Sequence, residues 1–304
     1  MRVAIIIPYF GTFPVWFELY LYSCSKNPQV DFIFFTDCEL PERIYENTIF
    51  HKTDFESYCK RVSDCLSIKF KPKDPYKLCD LKPFYGIIHQ KELESYDFWG
   101  FGDVDLIYGD LNIIVNHKNL HQYDFITTHG GRIGGHFTIM KKDSHYTTNV
   151  LRIYNWKTKL TSYNIYMMDE VDYAYVVYPQ LKWVARLYHY VLRPFGMKEG
   201  LYYNFINRLF CNKCSKRLFW EYNTTPKPKM SDEWLYNIST SSLTASDGTP
   251  IPYLHFLLFK KNIYFQFDEQ WTGKYYFLND FMTNTKRFKN ISISLRGIIF
   301  KNKI

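Results

Sequence analysis

An α/β fold, wound as a doubly covered sheet over the N-terminal two-fifths of the chain, is predicted by three observations. Strand-like and helix-like segments alternate from the start. The strand-like runs are continuous and apolar, as in parallel strands buried on both faces. Each run ends in a turn: Pro8-Tyr9-Phe10-Gly11, Thr36-Asp37 and Gly102-Asp103-Val104-Asp105. Ligands of open sheets bind at the carboxyl ends of strands, so these turns are expected to line one crevice.

The first strand, residues 3–8, is a β-branched run stopped by Pro8. Residues 13–25 carry apolar side chains at helical spacing; residues 31–37 read as a second strand, 47–54 as a third and 55–70 as a helix. Asp74-Pro75 offers an N-cap followed by proline at the first helical position. It opens an expected helix over 76–91 that carries Lys77, Asp80 and Lys82. Residues 98–101 form the next strand. Segments 124–128 and 136–140 look like strands flanking Gly130-Gly131-Arg132-Ile133-Gly134-Gly135, a loop able to approach a ligand closely. The GxxxxGK[ST] pattern of a phosphate loop is absent. Residues 224–229 and 247–252 are turn-rich, and 253–256 read as a short strand.

At 304 residues the chain holds one large domain or two small ones. Lys and Arg exceed Asp and Glu by 38 to 30, a net charge of +8 that suits a polyanionic partner, a diphosphate or an anionic membrane surface. The charge is spread out and no nucleic-acid motif is present, so nucleic acid is not an expected partner. Aromatics make up 20%, suited to stacking on uracil and sugar faces, although AT-rich coding would inflate the same residues. Seven scattered cysteines favour free thiols in a reducing compartment, and the lone Cys211-Asn212-Lys213-Cys214 lacks a second pair for zinc. No apolar run approaches the ~18 residues of a membrane span. Pro8 and Glu18 interrupt what could imitate a leader, so a cytoplasmic location is expected. Residues 182–219 mix aromatic and basic side chains, as either a surface-seeking amphipathic segment or core helices with snorkelling bases.

The sharpest motif is Gly102-Asp103-Val104-Asp105, which follows Tyr96-Asp97-Phe98-Trp99-Gly100-Phe101. In extended backbone residues i and i+2 point the same way, so Asp103 and Asp105 can converge on one cation. A hard divalent ion such as Mn²⁺ or Mg²⁺ prefers such oxygens and completes its shell with substrate phosphates. A nucleotide-sugar diphosphate needs that arrangement.

Together with Tyr76-Lys77-Leu78-Cys79-Asp80-Leu81-Lys82-Pro83, Gly134-Gly135-His136-Phe137 and Leu254-His255-Phe256, the motif resembles GT-A fold glycosyltransferases of bacterial capsule and lipopolysaccharide assembly. The resemblance covers roughly residues 1–260. It implies a Rossmann-like nucleotide-sugar-binding fold with a mixed central sheet and helical C-terminal additions. A donor half at about 1–115 and an acceptor half at about 116–260 would precede a basic extension at 261–304. Asp103 and Asp105 are similar to the family's DxD, which holds the metal against the donor diphosphate, with Asp105 ligating directly and Asp103 reaching the ribose or a metal-bound water. His255 stands where several such enzymes place a further metal ligand. Pro8, Tyr9, Phe10, Thr36 and Asp37 would border the nucleobase and ribose; Lys77 and Lys82 would face the diphosphate, with Asp80 between them. In an inverting enzyme a carboxylate serves as general base. The resemblance makes Asp169 the first choice and Glu170 the second, with Asp172 third. Arg132 and His136 would contact a sugar, and Asp110 would neighbour the metal or cap the next element.

The expected function is metal-dependent transfer from a nucleotide-sugar, a UDP-sugar, to a lipid-linked or oligosaccharide acceptor. The basic tail and residues 182–219 fit peripheral attachment to the inner face of the cell membrane. The alternatives are a sugar nucleotidyltransferase, which usually has a basic loop where this chain has Pro8-Tyr9-Phe10-Gly11-Thr12, and a non-catalytic nucleotide- or glycan-binding module.

Overall fold

The computed structural model describes residues 1–128, 133–196, 216–217, 233–255, 285–294 and 297–301. In chain order its first elements are β1 (Val3–Pro8), α1 (Phe17–Ser25), β2 (Val30–Thr36), β3 (Thr48–Lys52) and α2 (Phe55–Leu66). A 3₁₀ stretch (Pro75–Phe84) leads into α3 (Tyr85–Ile88), then β4 (Phe98–Gly102), β5 (Leu106–Tyr108), α4 (His117–Gln122), β6 (Phe125–Thr127) and β7 (Phe137–Lys141). The short helices α5 (His145–Asn149), α6 (Trp156–Thr161), α7 (Tyr173–Val177) and α8 (Gln180–Leu187) follow, with π-turns at Met168–Asp172 and Tyr188–Leu192. The remaining strands are β8 (Lys216–Arg217), β9 (Glu233–Asn237), β10 (Leu243–Ala245), β11 (Tyr253–His255), β12 (Asn290–Ser294) and β13 (Gly297–Lys301).

The chain forms a mixed α/β structure. Its central sheet runs β3-β2-β1-β4-β7-β6-β8. The first four strands are parallel, β7 is antiparallel to both β4 and β6, and β8 is parallel to β6. Both faces of the parallel half are covered, which explains its unbroken apolar runs. Ala4, Ile6, Ile33 and Phe35 pack with Tyr58 and Val62 of α2 and with Leu81 and Phe84 of the 3₁₀ stretch. The alternate residues Val3, Ile5, Phe32 and Phe34 pack with Phe17, Tyr20 and Leu21 of α1. Asp54 caps α2 by accepting from the Ser57 amide at 2.8 Å.

Two expectations are corrected by backbone chemistry. Asp74 does cap the segment after it, accepting from the Tyr76 amide at 2.7 Å, but residues 75–84 form a 3₁₀ stretch in place of an α-helix. Pro83 lies inside it, and proline both lacks an amide hydrogen and disfavours α geometry in the residue before it. The described C-terminal residues include an antiparallel sheet, β10-β9-β12-β13, where helical additions were expected. In β9 only Trp234 and Tyr236 are buried, a period-2 pattern, and with Ile291 and Ile293 of β12 and Ile298 and Phe300 of β13 they cover Leu19 and Ile107. A division at residue 260 would cut this sheet, because β9 pairs with β12.

Candidate metal and donor site

Three chain segments meet beyond the carboxyl ends of β1 and β4. The turn after β1 supplies Pro8, Tyr9 and Phe10, and the turn after β4 supplies Asp103 and Asp105. β5 then pairs antiparallel with β11, which sets His255 opposite Leu106, the residue after Asp105. His255 Nε2 lies 3.7 Å from Asp105 Oδ2. Asp103, Asp105 and His255 each offer a ligand atom, and these atoms lie within 4.8 Å of one another. Around a Mn²⁺- or Mg²⁺-sized ion, neighbouring donors stand ~3 Å apart and opposite donors ~4 Å, so only small side-chain shifts separate this cluster from a coordination shell. Two carboxylates with one imidazole form a donor set able to hold a divalent cation. The His255 ring is held in place by stacking on His136, with centroids 4.2 Å apart and planes 18° apart. His136 Nε2 in turn lies 2.9 Å from the Tyr253 hydroxyl.

Lys82 links this cluster to a second acid. Its ammonium donates to Asp103 Oδ1 at 2.6 Å and to the Gly135 carbonyl at 2.9 Å, and lies 3.5 Å from Asp169 Oδ2. Burial works against the Lys82 charge, yet Asp103, Cys79 and Asp169 outweigh it and hold the ammonium well above its usual range. Asp169 is buried as well. Desolvation pushes its carboxyl up to about 7 against the pull of Lys82, with Glu170 and Asp103 adding to the rise.

The Asp169 turn is held from below and enters the site past a glycine. Met167 adopts a left-handed φ of 53° ahead of the π-turn. Asp80, fully buried, accepts from the Tyr166 amide at 3.0 Å and the Met168 amide at 3.0 Å, and its charge is matched by Lys77 at 2.8 Å. At Gly135 a Cβ would stand 2.5 Å from Asp169 Oδ2, so no other residue lets the carboxylate come this close to Lys82 without a shift. The walls enclose about 460 Å³ bordered by Tyr9, Tyr76, Lys82, Asp105, Asp169 and His255. That volume is in the range of small-molecule and cofactor sites. Cys79 also borders it, but burial raises its thiol to about 12, so it stays protonated and is a poor nucleophile.

Residues 5–190 match the profile of a family of unknown function, DUF6625. The chain belongs to this family. No curated protein matches it. Among solved structures it is similar to the glycosyltransferase GlyE of Streptococcus pneumoniae TIGR4, with a TM-score of 0.29 and 13% identity. The match covers 73% of this chain and 46% of that one, so the chain spans less than half the length of that protein.

In this DUF6625 member the residues singled out in the sequence divide into two groups. Pro8, Tyr9, Phe10, Lys82, Asp103, Asp105, His136, Asp169, Glu170 and His255 border the one cavity. The others are engaged elsewhere. Lys77 is buried against Asp80, the Lys159 carbonyl (2.8 Å) and the Asn164 carbonyl, and does not face the cavity. Thr36 accepts from the Cys38 amide at 3.0 Å, and Asp37 accepts from the Gly11 amide at 2.7 Å, tying the β1 turn to the end of β2. Asp172 pairs with Lys159, and Asp110 caps the 3₁₀ turn Leu111–Ile113. Arg132, Gly130, Gly131, Cys211 and Cys214 lie outside the described residues. Cys24, Cys38, Cys59, Cys65 and Cys79 are free thiols. Sequence reading missed the roles of Gly135 and of Asp80 as an anchor for residues 166–168. No local pattern marks either, since each acts on a segment tens of residues away.

Proposed function

We propose that this protein is a metal-dependent glycosyltransferase of GT-A type. It would move a sugar from a nucleotide-sugar, a UDP-sugar, to a lipid-linked or oligosaccharide acceptor in bacterial surface polysaccharide assembly. The observation that carries the reading is the meeting in one cavity of an Asp103–Asp105–His255 donor set with a buried acid, Asp169, poised near neutrality. Mn²⁺ or Mg²⁺, when bound by Asp103, Asp105 and His255, supplies the positive charge that makes a nucleoside diphosphate a competent leaving group. The chain's own residues do the rest. Tyr9 and Phe10 offer aromatic faces at the end of β1 for a nucleobase. Lys82 holds Asp103 in position and offsets part of the acidic charge of the site. Asp169 takes the proton of the acceptor hydroxyl as that oxygen bonds to the anomeric carbon; the bond to the diphosphate breaks and its electron pair leaves with the phosphate oxygen. A carboxyl near 7 is matched to that task at physiological pH. Glu170 flanks it as the alternative base.

The test is calorimetry with UDP and GDP, each with Mn²⁺ and with EDTA, beside Asp105→Ala. Metal-dependent UDP binding, weakened at least about tenfold in the variant, is expected. Absence of binding by either nucleotide in the presence of metal overturns the reading.

A further inference from the structure

The stretch from Gln180 to Arg193 presents an exposed face that none of the described residues covers. α8 and the π-turn that continues it pack inward through Ala185 and Tyr188, with Val184 partly buried. Trp183, Leu187, Tyr190 and Val191 recur at i, i+4, i+7 and i+8, the spacing of one helical stripe. That stripe faces solvent: Trp183 is 72% exposed, Tyr190 80%, and Phe195 just beyond them 87%. Lys182, Arg186, His189 and Arg193, at i, i+4, i+7 and i+11, form an exposed row beside it. The Arg186 guanidinium lies 5.6 Å from the Trp183 ring centre, so the two rows touch. No Asp or Glu occurs between residues 180 and 196.

A water-facing stripe of Trp, Leu and Tyr with a purely basic flank has the composition of an interfacial helix. A two-fold contact between copies of the chain would bring like-charged flanks together, whereas acidic headgroups complement them. We propose that this face binds an anionic lipid bilayer, with Trp183, Leu187, Tyr190 and Phe195 seated at the headgroup boundary and Lys182, Arg186 and Arg193 on the acidic headgroups. The proposal does not depend on the cation-site reading; combined with it, the surface brings the cavity to acceptors carried on lipid.

The experiment is co-sedimentation of the full chain with vesicles of phosphatidylcholine alone or mixed with phosphatidylglycerol, at low and at high salt. Leu187→Ser/Tyr190→Ser and Arg186→Glu/Arg193→Glu are run alongside, with circular dichroism melts for folding. The wild type is expected to pellet with the anionic vesicles at low salt and to release at high salt, and each variant to lose about tenfold in partitioning. The charge reversal alters exposed side chains only and keeps the test decisive if the serine variant fails to fold. Failure of the wild type to pellet, or retention by both variants, overturns the proposal. So does a concentration-dependent dimer that the serine variant abolishes, which would give the stripe to a second copy. Nucleotide binding, measured without vesicles, separates this outcome from the fate of the cation site.

Discussion

At Asp169, burial and Lys82 pull in opposite directions and burial prevails, leaving the carboxyl at about 7. In the proposed role of general base Asp169 must be deprotonated to act, so turnover is expected to rise with pH through that value. Asp169→Asn should lower kcat by about 10²–10⁴ while metal-dependent UDP binding persists, because the donor set is untouched. Equal loss of binding and turnover would mean that Asp169 only holds Lys82 in place. The same shift links to stability. A carboxyl raised in the folded state makes a contribution that is full below its unfolded value of 3.8 and is lost as pH rises through about 7. Melts of wild type and Asp169→Asn across that window should therefore show the difference in Tm moving in favour of the variant as pH rises. A pH-independent difference would contradict the raised pKa. Asp103 and Asp105 were legible in the sequence as alternate acids just past a strand end, although the backbone bends there and does not stay extended as expected. Gly135 was not, because what it makes room for lies on another segment.

The 3₁₀ stretch and the turn at residues 166–170 act as one unit through Lys77 and Asp80. Both side chains are buried, and removing one partner leaves the other's charge stranded, at a cost of about 3–5 kcal/mol. Asp80→Ala additionally releases the Tyr166 and Met168 amides. Urea unfolding of Asp80→Ala, Lys77→Met and the double variant should give a double-variant loss well below the sum of the singles. Additive losses would show that the pair does not couple. The start of this stretch was readable from Asp74-Pro75, but its helix type and the direction of Lys77 were not. Pro83 altered the backbone, and the carbonyls that hold Lys77 belong to residues more than eighty positions later. Periodicity describes neighbours along a helix and carries no information about such partners.

For the whole molecule, the parallel half was legible because β1, β2 and β4 are near-continuous buried apolar runs and the helices α1 and α2, which follow β1 and β3, cover the sheet. The antiparallel half depends on distant pairing and was read only in part. Strand β9 buries alternate residues and β12 buries three in a row, and the Leu19 and Ile107 that they help to cover lie far away in sequence. A chain ending at residue 284 would lose Ile291, Ile293, Ile298 and Phe300 from that cover. At about 1.5–3 kcal/mol for each fully buried apolar side chain, the loss is of the order of an entire domain's stability. Such a truncation is expected to be insoluble or to melt far below the full chain. A melt unchanged by the truncation would make β12 and β13 dispensable.

The pairing of β11 with β5 also sets a timetable. His255 reaches Asp105 only through a strand made after about half the chain has followed β5. At ribosomal rates that delay is on the order of ten seconds. Until then Asp103 and Asp105 lack His255, so a nascent or prematurely ended chain carries an incomplete version of the proposed donor set. Cation uptake at the proposed site would thus report that β11 has been made and has paired with β5.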